Sequence, residues 1–403
     1  MSHARPPGLA FIFVTLVIDM IGLGVIIPVV PELVGQLAGD ARSLGLLIAL
    51  YALAQLLAAP ALGALSDRYG RRPVLLGGAL LAALSYTLAA LAPTLGWLFL
   101  ARALGGIAGA TVGVANAYIA DISTSANRAR HFGLAGAAFG LGLIVGPALG
   151  GLLGAHGLRL PFIASAALAA LNFLYGLLVL PESRRGVSAP FAPRALVPLR
   201  ALGVLGRFPG LPLLAAVGVL ANLATQFLTS TWVLHGTVRY GWNASTNGLT
   251  LTVAGLLGVF VQVALLPRVL RRLGNERTIV AAIVLGALGN LLYGLAAQGW
   301  MLYAAMLVAS LGGLGGPPLQ ALIAGKAAPE AQGAVQGALG GLNALCAVVG
   351  PLVATALFAH FTAPHASFAL PGVAFFAASL LLLASLAVFR VTAARSIPSG
   401  EPA

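Results

Sequence analysis

Charge is what this chain has least of. Only 8% of its 403 residues are charged, against about 25% in a soluble globular protein, and acids are scarcer still, nine Asp and Glu against 22 Lys and Arg. With 60% hydrophobic residues and a mean hydropathy of +1.00, too little polar surface exists for the two or three soluble domains that this length would otherwise imply. A lipid bilayer is the solvent that suits such a surface. Cysteine is nearly absent, since Cys346 stands alone inside an apolar run, which excludes a disulfide and a thiolate metal cage. No Gly-x4-Gly-Lys-Ser/Thr phosphate loop occurs, so ATP is not hydrolysed by that device. The histidines, His3, His131, His156, His235, His360 and His365, lack ligand spacing, and no metal or cofactor is expected. An acid-poor core also lacks the paired groups that a membrane enzyme needs.

What is present is a series of long apolar runs. Twenty or so apolar residues cross a hydrocarbon core of about 30 Å, and twelve such segments can be placed near 9–31, 44–65, 73–92, 97–120, 131–154, 160–180, 211–234, 245–266, 278–297, 300–325, 332–358 and 367–390. The first is read as a retained helix, because Pro28 and Pro31 follow it where a signal-peptide cleavage site would need small residues. The net charge of +13 does not indicate nucleic acid, because the basic residues lie in short clusters between the apolar runs. With both termini inside, the cytoplasmic segments hold Arg5, Arg68, Arg71, Arg72, Arg128, Arg130, Arg184, Arg185, Arg194, Arg200, Arg207, Arg268, Arg271, Arg272, Arg277, Lys326, Arg390 and Arg395, and the outer loops hold only Arg42, Arg159 and Arg239. The positive-inside rule therefore places both termini in the cytoplasm of a multi-pass inner-membrane protein.

The two halves of the chain also repeat. Gly70 matches Gly274, Gly133 matches Gly337, Gly136 matches Gly340 and Gly146-Pro147 matches Gly350-Pro351, all at one constant offset of about half the length. Such a repeat predicts an all-α membrane protein of two pseudo-symmetric six-helix bundles, 1–180 and 211–403, joined by a cytoplasmic linker over 181–210 around a central cavity.

Four features carry chemistry. The loop after the second span contains Gly63, Asp67, Arg68, Gly70, Arg71, Arg72 and Pro73, in which glycines allow a tight turn, proline opens the next helix and arginines hold the loop in the cytoplasm. Asp67 among those arginines can latch the two halves, pairing with Arg128 or Arg130 or sitting at the start of the eleventh span near Glu330 to Gly333. Arg102 lies inside the fourth span, where an arginine faces a partner or a wet cavity, or else snorkels to the interface near Trp97. The fifth span carries Gly136, Gly140, Gly142, Gly146-Pro147, Gly150, Gly151 and Gly154, a smooth face for close helix packing with a proline that kinks it. Asp19 is the one acid away from helix ends, loops and tail, roughly 15 Å deep when counted from Leu9. Buried at that depth it reads either as a proton-coupling site or as a permanent partner of Arg102.

These motifs make the chain resemble the major facilitator superfamily: the loop from Gly63 to Pro73 resembles its signature between helices two and three, and the segment around Arg102 resembles its intramembrane arginine motif. The Gly-Pro pattern of the fifth span resembles that of its antiporters. Asp19 to Gly24, Pro28 to Pro31, His131 to Pro147, Trp232-Val233-Leu234, Gly241-Trp242-Asn243 and Gln336-Gly337 are similar to the tetracycline efflux group. The resemblance implies a twelve-helix secondary transporter, functional as a monomer, that exchanges a drug-like small molecule for protons by alternating access. Asp19 with Arg102 would serve proton coupling, the loop would be the cytoplasmic latch, and Gly142, Gly146, Pro147, Gly150 and Gly151 would be the packing hinge. Asn116, Phe139, Asn222, Gln226, Trp232, Gln320 and Asn343 are the candidate cavity wall. Ser85, Gly286 and Gly258 align where that group carries two further intramembrane acids and a histidine, so the expectation is poor handling of a cationic tetracycline chelate and better handling of neutral or weakly basic lipophilic compounds. A tetracycline-specific antiporter, and a facilitator or importer of a small metabolite, are the alternatives.

Overall fold

A computed structural model describes residues 7–124, 126–183, 198–364, 366 and 368–396. The basic residues Arg5, Arg184, Arg185 and Arg194, the histidines His3 and His365, and the middle of the expected linker lie outside them. Among the described residues every element is helical: α1 (Pro7–Ile26), α2 (Val30–Gln36), α3 (Ala41–Tyr69), α4 (Arg71–Leu91), α5 (Leu95–Gly109), α6 (Thr111–Asp121), α7 (Arg128–His156), α8 (Leu160–Val179), α9 (Leu211–Tyr240), α10 (Ala244–Phe260), α11 (Leu266–Leu295), α12 (Gly299–Ser310), α13 (Gly316–Lys326), α14 (Gln332–Thr362) and α15 (Val373–Ser396).

Twelve crossings emerge once the breaks are read. Among the described residues ten helices are long and apolar enough to cross a bilayer, and α1 with α2 forms a further span bent by 47°. One of the ten is the stretch Ala244–Leu295, whose 52 residues are far longer than one crossing requires. It is divided at Gly274, whose φ of 70° and ψ of −179° are not helical. Those dihedrals lie in a region essentially restricted to glycine. Gly70, the partner of Gly274 in the sequence repeat, likewise has a positive φ of 102° between α3 and α4, so the repeat extends to backbone conformation at the equivalent turn.

Several spans are bent or interrupted, the eighth among them by a π-helical segment over Val261–Leu265. The first bends because Pro28 and Pro31 remove donors and resist helix continuation. The fourth breaks at Ala110, whose N–H is shared between Gly106 and Ile107 carbonyls at 3.2 Å each, while the Thr111 hydroxyl donates to Ala108 O at 2.7 Å. The tenth is interrupted by a 3-10 segment, Leu311–Gly315, before Pro317 and Pro318 open α13. Glycines and paired prolines make such an interruption cheap. Ala110 and Leu314 are related by the same offset as the glycine pairs, so both halves break their fourth helix at the same place.

The chain clusters into two compact units, Met1–Val197 with Trp242–Gly255, and Pro198–Gly241 with Leu256–Ala403. In the first, Ile12, Leu16, Val114, Tyr118, Ile119 and Ala138 pack where α1, α6 and α7 meet; in the second, Leu211, Leu214, Ile279, Ile323, Val335 and Phe389 pack the corresponding core. At the start of α3, Asp40 caps the helix: its carboxylate accepts from Ser43 N at 2.8 Å, and the Ser43 hydroxyl completes a capping box. That backbone hydrogen bond holds the Asp40 carboxyl below its ordinary pKa.

Candidate functional site

Asp19 opens onto a cavity of about 240 Å³ inside the first unit, walled by α1 and α3 to α7. The same wall carries Arg102, Tyr51, Gln55, Tyr86, Ser85 and Phe139, and Asp19 is its only carboxylate. Arg102 does not ion-pair with Asp19; its guanidinium carbon lies 5.8 Å from the centroid of the Tyr51 ring. A cation over an aromatic face is a recognised resting place for arginine, and it leaves both side chains on the cavity wall. Ser85 is 4% exposed and donates to Ala101 O at 2.7 Å. Gln55 donates to Gly109 O at 3.1 Å, across the break in the fourth span.

The glycines of α7 explain how α1 is held. A Cβ on Gly146 would stand 2.6 Å from Gly24 Cα, and Cβ atoms on Gly142 and Gly150 would collide with Met20 and with Val25 O. The stripe therefore seats the turns of α1 that directly follow Asp19. Gly151 faces the other way, where a Cβ would stand 3.1 Å from Gly248 Cα, and the Thr252 hydroxyl donates to Ile144 O at 3.4 Å. Pro147 sits between the two faces inside an otherwise continuous helix. Gly133 and Gly136, by contrast, have open space around them.

Around the loop between α3 and α4, Arg71 is the centre. Its guanidinium pairs with Asp67 at 2.8 Å and with Asp121 at 3.1 Å, and it donates to the Ser66 hydroxyl at 2.6 Å. Ser66 in turn donates to Gly63 O, and Arg68 lies 5.3 Å from the Tyr69 ring centroid. Sequence reasoning missed Glu182: its two carboxylate oxygens accept from Arg71 N at 2.9 Å and Arg72 N at 3.1 Å, capping α4 from the far end of α8. Gly70 is required twice there, by its positive φ and because a Cβ would strike Glu182 Oε2. Arg72 donates to Leu177 O, Tyr118 to Pro181 O and Ser183 to Asp121, so the end of α8 is stitched to the loop. No local motif marks such a cap, because its two partners are over a hundred residues apart.

The second unit holds a larger cavity of about 540 Å³. Asn222, Gln320 and Asn343 lie on its wall, and Asn222 donates to Asn343 at 3.0 Å. Gly286 is also on that wall, opposite Gly312. The other wall candidates are placed elsewhere. Gln226 packs where a Cβ on Gly350 would meet it, 2.5 Å away, and Asn116 is a partly buried residue of α6 outside the residues that line the first cavity. Trp232 is 5% exposed and packs edge-on against Tyr293 at 5.1 Å and against Phe375 at 6.2 Å. An indole sealed among aromatic rings contributes to the core and not to either cavity.

Comparisons with known proteins bear on this arrangement. A family model described as the Major Facilitator Superfamily matches residues 12–298 and 240–403. The chain is 40% identical over 348 residues to "Tetracycline resistance protein, class C" of Escherichia coli, covering 86% of this chain and 88% of that one. It is 33% identical to the class B protein of Escherichia coli, covering 85% and 86%. Among solved structures it is similar to the nucleoside transporter NupG, with a TM-score of 0.76 at 15% identity over 95% of this chain and 98% of that one. It is also similar to the human organic anion transporter MFSD10, with a TM-score of 0.70 at 24% identity over 96% and 100%.

Proposed function

The chain belongs to the Major Facilitator Superfamily and is a membrane transporter, and on that premise we propose that it exports a drug-like amphipathic molecule in exchange for protons, by alternating access, as a monomer in the inner membrane with both termini cytoplasmic. The observation that carries this reading is Asp19, the only carboxylate on the wall of either cavity. An ionisable residue inside a membrane span is retained for a function when it faces a cavity, and Asp19 shares its cavity with an arginine it does not bind.

The remaining residues take supporting roles. Gly142, Gly146, Pro147, Gly150 and Gly151 form the close-packed hinge that lets helices move without opening a leak. Gly63, Asp67, Arg68, Gly70, Arg71 and Arg72 form the cytoplasmic latch, held in shape by Asp121 and Glu182. Phe139, Asn222, Gln320 and Asn343 contribute to the substrate wall. The test is a pH gradient imposed across proteoliposomes: adding a transported drug should dissipate the gradient, and drug accumulation should collapse when the gradient does. Transport by counterflow alone, with no proton movement, would instead make the chain a facilitator.

A second reading, export of tetracycline itself, is supported by the names of the relatives at 33–40% identity. Against it stand Ser85 and Gly286, which place no carboxylate on either cavity wall where the tetracycline efflux group carries acids.

A further inference from the structure

A further space in the first unit opens between α3 and α4. Both helices pack along α5 and touch each other little, and near the loop at Gly70 they leave a groove of about 310 Å³ walled by Leu62, Leu65, Val74, Leu81 and Ile107. No charged residue lines it. Leu65 is 40% exposed and Tyr69 64%, so the groove is open along its flank. From Pro73 to Leu81 it follows α4 for roughly 12 Å, most of the ~15 Å of hydrocarbon in one leaflet. An apolar groove along that much of a membrane span faces acyl chains and not water.

Gly78 and Thr111 line this groove and the Asp19 cavity alike. The partition there is one helix contact: a Cβ on Gly78 would stand 2.3 Å from Thr111 Cγ2, so the threonine methyl rests on bare backbone. Thr111 is 7% exposed, and its hydroxyl is held by Ala108 O. Two features let the contact part. Thr111 is the first residue of α6, directly after the break at Ala110, and such breaks serve as hinges. A helical threonine also keeps two side-chain rotamers, because its hydroxyl can bond the preceding turn. The second unit repeats the contact at the offset of the glycine pairs: a Cβ on Gly315 would stand 3.1 Å from Ala282 Cβ, and both residues line the larger cavity. There glycine takes the place of the threonine.

We propose that the groove is a lateral entrance to the Asp19 cavity for an uncharged, largely apolar molecule dissolved in the leaflet beside Gly70, cytoplasmic in the orientation given above, and that Thr111 closing on Gly78 is its gate. The walls select this occupant. The groove offers an ion no counter-charge, it lies within the hydrocarbon, and beyond the gate Asp19 and Arg102 meet whatever polar end the molecule carries. The entrance serves transport only on the export reading above; access from the leaflet to the cavity does not rest on it.

The test uses the full-length protein in liposomes with a bilayer-dissolved photoprobe, trifluoromethyl-iodophenyl-diazirine, an uncharged molecule whose carbene inserts into whatever lies beside it. Labelled residues are read by mass spectrometry. The wild type should be labelled in the groove, at Leu65 and Leu81, and in the cavity, at Ala79 and Ala82. Gly77 lines the groove but not the cavity and has open space where a Cβ would go, so Gly77→Phe fills the entrance without touching the gate. It should abolish cavity labelling, and Gly77→Leu carries the same expectation if the phenylalanine variant is not recovered folded. Leu84→Phe, exposed on the same helix outside the groove, should leave cavity labelling unchanged. Thr111→Ala, which takes the methyl out of the partition, should raise it. Cavity residues unlabelled in the wild type, cavity labelling that survives filling at Gly77 or falls equally in Leu84→Phe, or a groove unlabelled because a resident acyl chain fills it would each overturn the entrance. Labelling unchanged by Thr111→Ala would overturn the gate. Proton-coupled drug transport is read separately. Its absence alongside Gly77-dependent labelling would sink the export reading and leave the entrance standing; its presence with Gly77-independent labelling would do the reverse.

Discussion

Asp19 and Arg102 share a cavity wall without joining, and each has a different holder: α7 seats the backbone next to Asp19, and the Tyr51 ring carries the guanidinium. A carboxylate in that position can gain or lose a proton without first breaking an ion pair. Asp19→Asn keeps the size of the side chain but cannot titrate, so the variant should insert normally, bind drug, and show drug-driven proton movement no greater than that of empty liposomes. Wild-type proton exchange in the variant would remove Asp19 from the mechanism. Asp40 works through the fold instead. Its folded-state pKa lies below the unfolded value, so its stabilisation is present above the ordinary aspartate range and is lost as pH falls through the folded value. Asp40→Ala should therefore cost about 1 kcal/mol of stability at pH 7, and thermal unfolding should show that difference shrinking as the pH is lowered below about 4.

At the scale of elements, the glycine stripe of α7 and the capped loop before α4 are the two devices that set helix positions. Gly146→Val puts atoms where Gly24 already stands, and overpacking of that kind costs roughly 1–3 kcal/mol. Transport should fall with it, because α1 must shift to relieve the clash. Gly136→Val, on the same helix but facing open space, should be close to neutral; equal damage from both would show that glycine is needed there for helix flexibility and not for contact with α1. In the loop, Arg71 is shared between Asp67 and Asp121. Asp67→Asn weakens only one of these, so it should slow turnover while leaving drug affinity nearly unchanged. A large loss of binding with normal turnover would count against a latch.

For the molecule as a whole, the distribution of charge decides what it can carry. Asp19 is the only carboxylate among the residues that line either cavity, so a cationic metal chelate of tetracycline would have to use the group proposed to carry the proton. Weak or no protection against tetracycline is expected in an exporter-deficient host, with better protection against neutral or weakly basic lipophilic compounds. The decisive measurement is uptake of metal-tetracycline into inverted vesicles with an acid interior. Robust, saturable accumulation lost on collapsing the gradient would establish tetracycline export despite Ser85 and Gly286.

The composition and the length of the apolar runs were enough to determine an all-helical membrane protein, because the bilayer demands the same twenty-residue solution at every crossing. The constant offset of the glycine pairs determined the repeat, and Gly70 and Gly274 realise it as matching positive-φ turns. Asp19, the loop around Arg71 and the glycines of α7 were legible because a rare residue type or a tight spacing marks each of them. Only the tertiary structure decided which groups meet. Glu182 caps α4 across the whole first half, Arg102 rests on Tyr51 and not on Asp19, and Trp232 turns into an aromatic core. The breaks in the fourth and tenth spans were likewise hidden, since an apolar run reads the same whether its helix is continuous or interrupted.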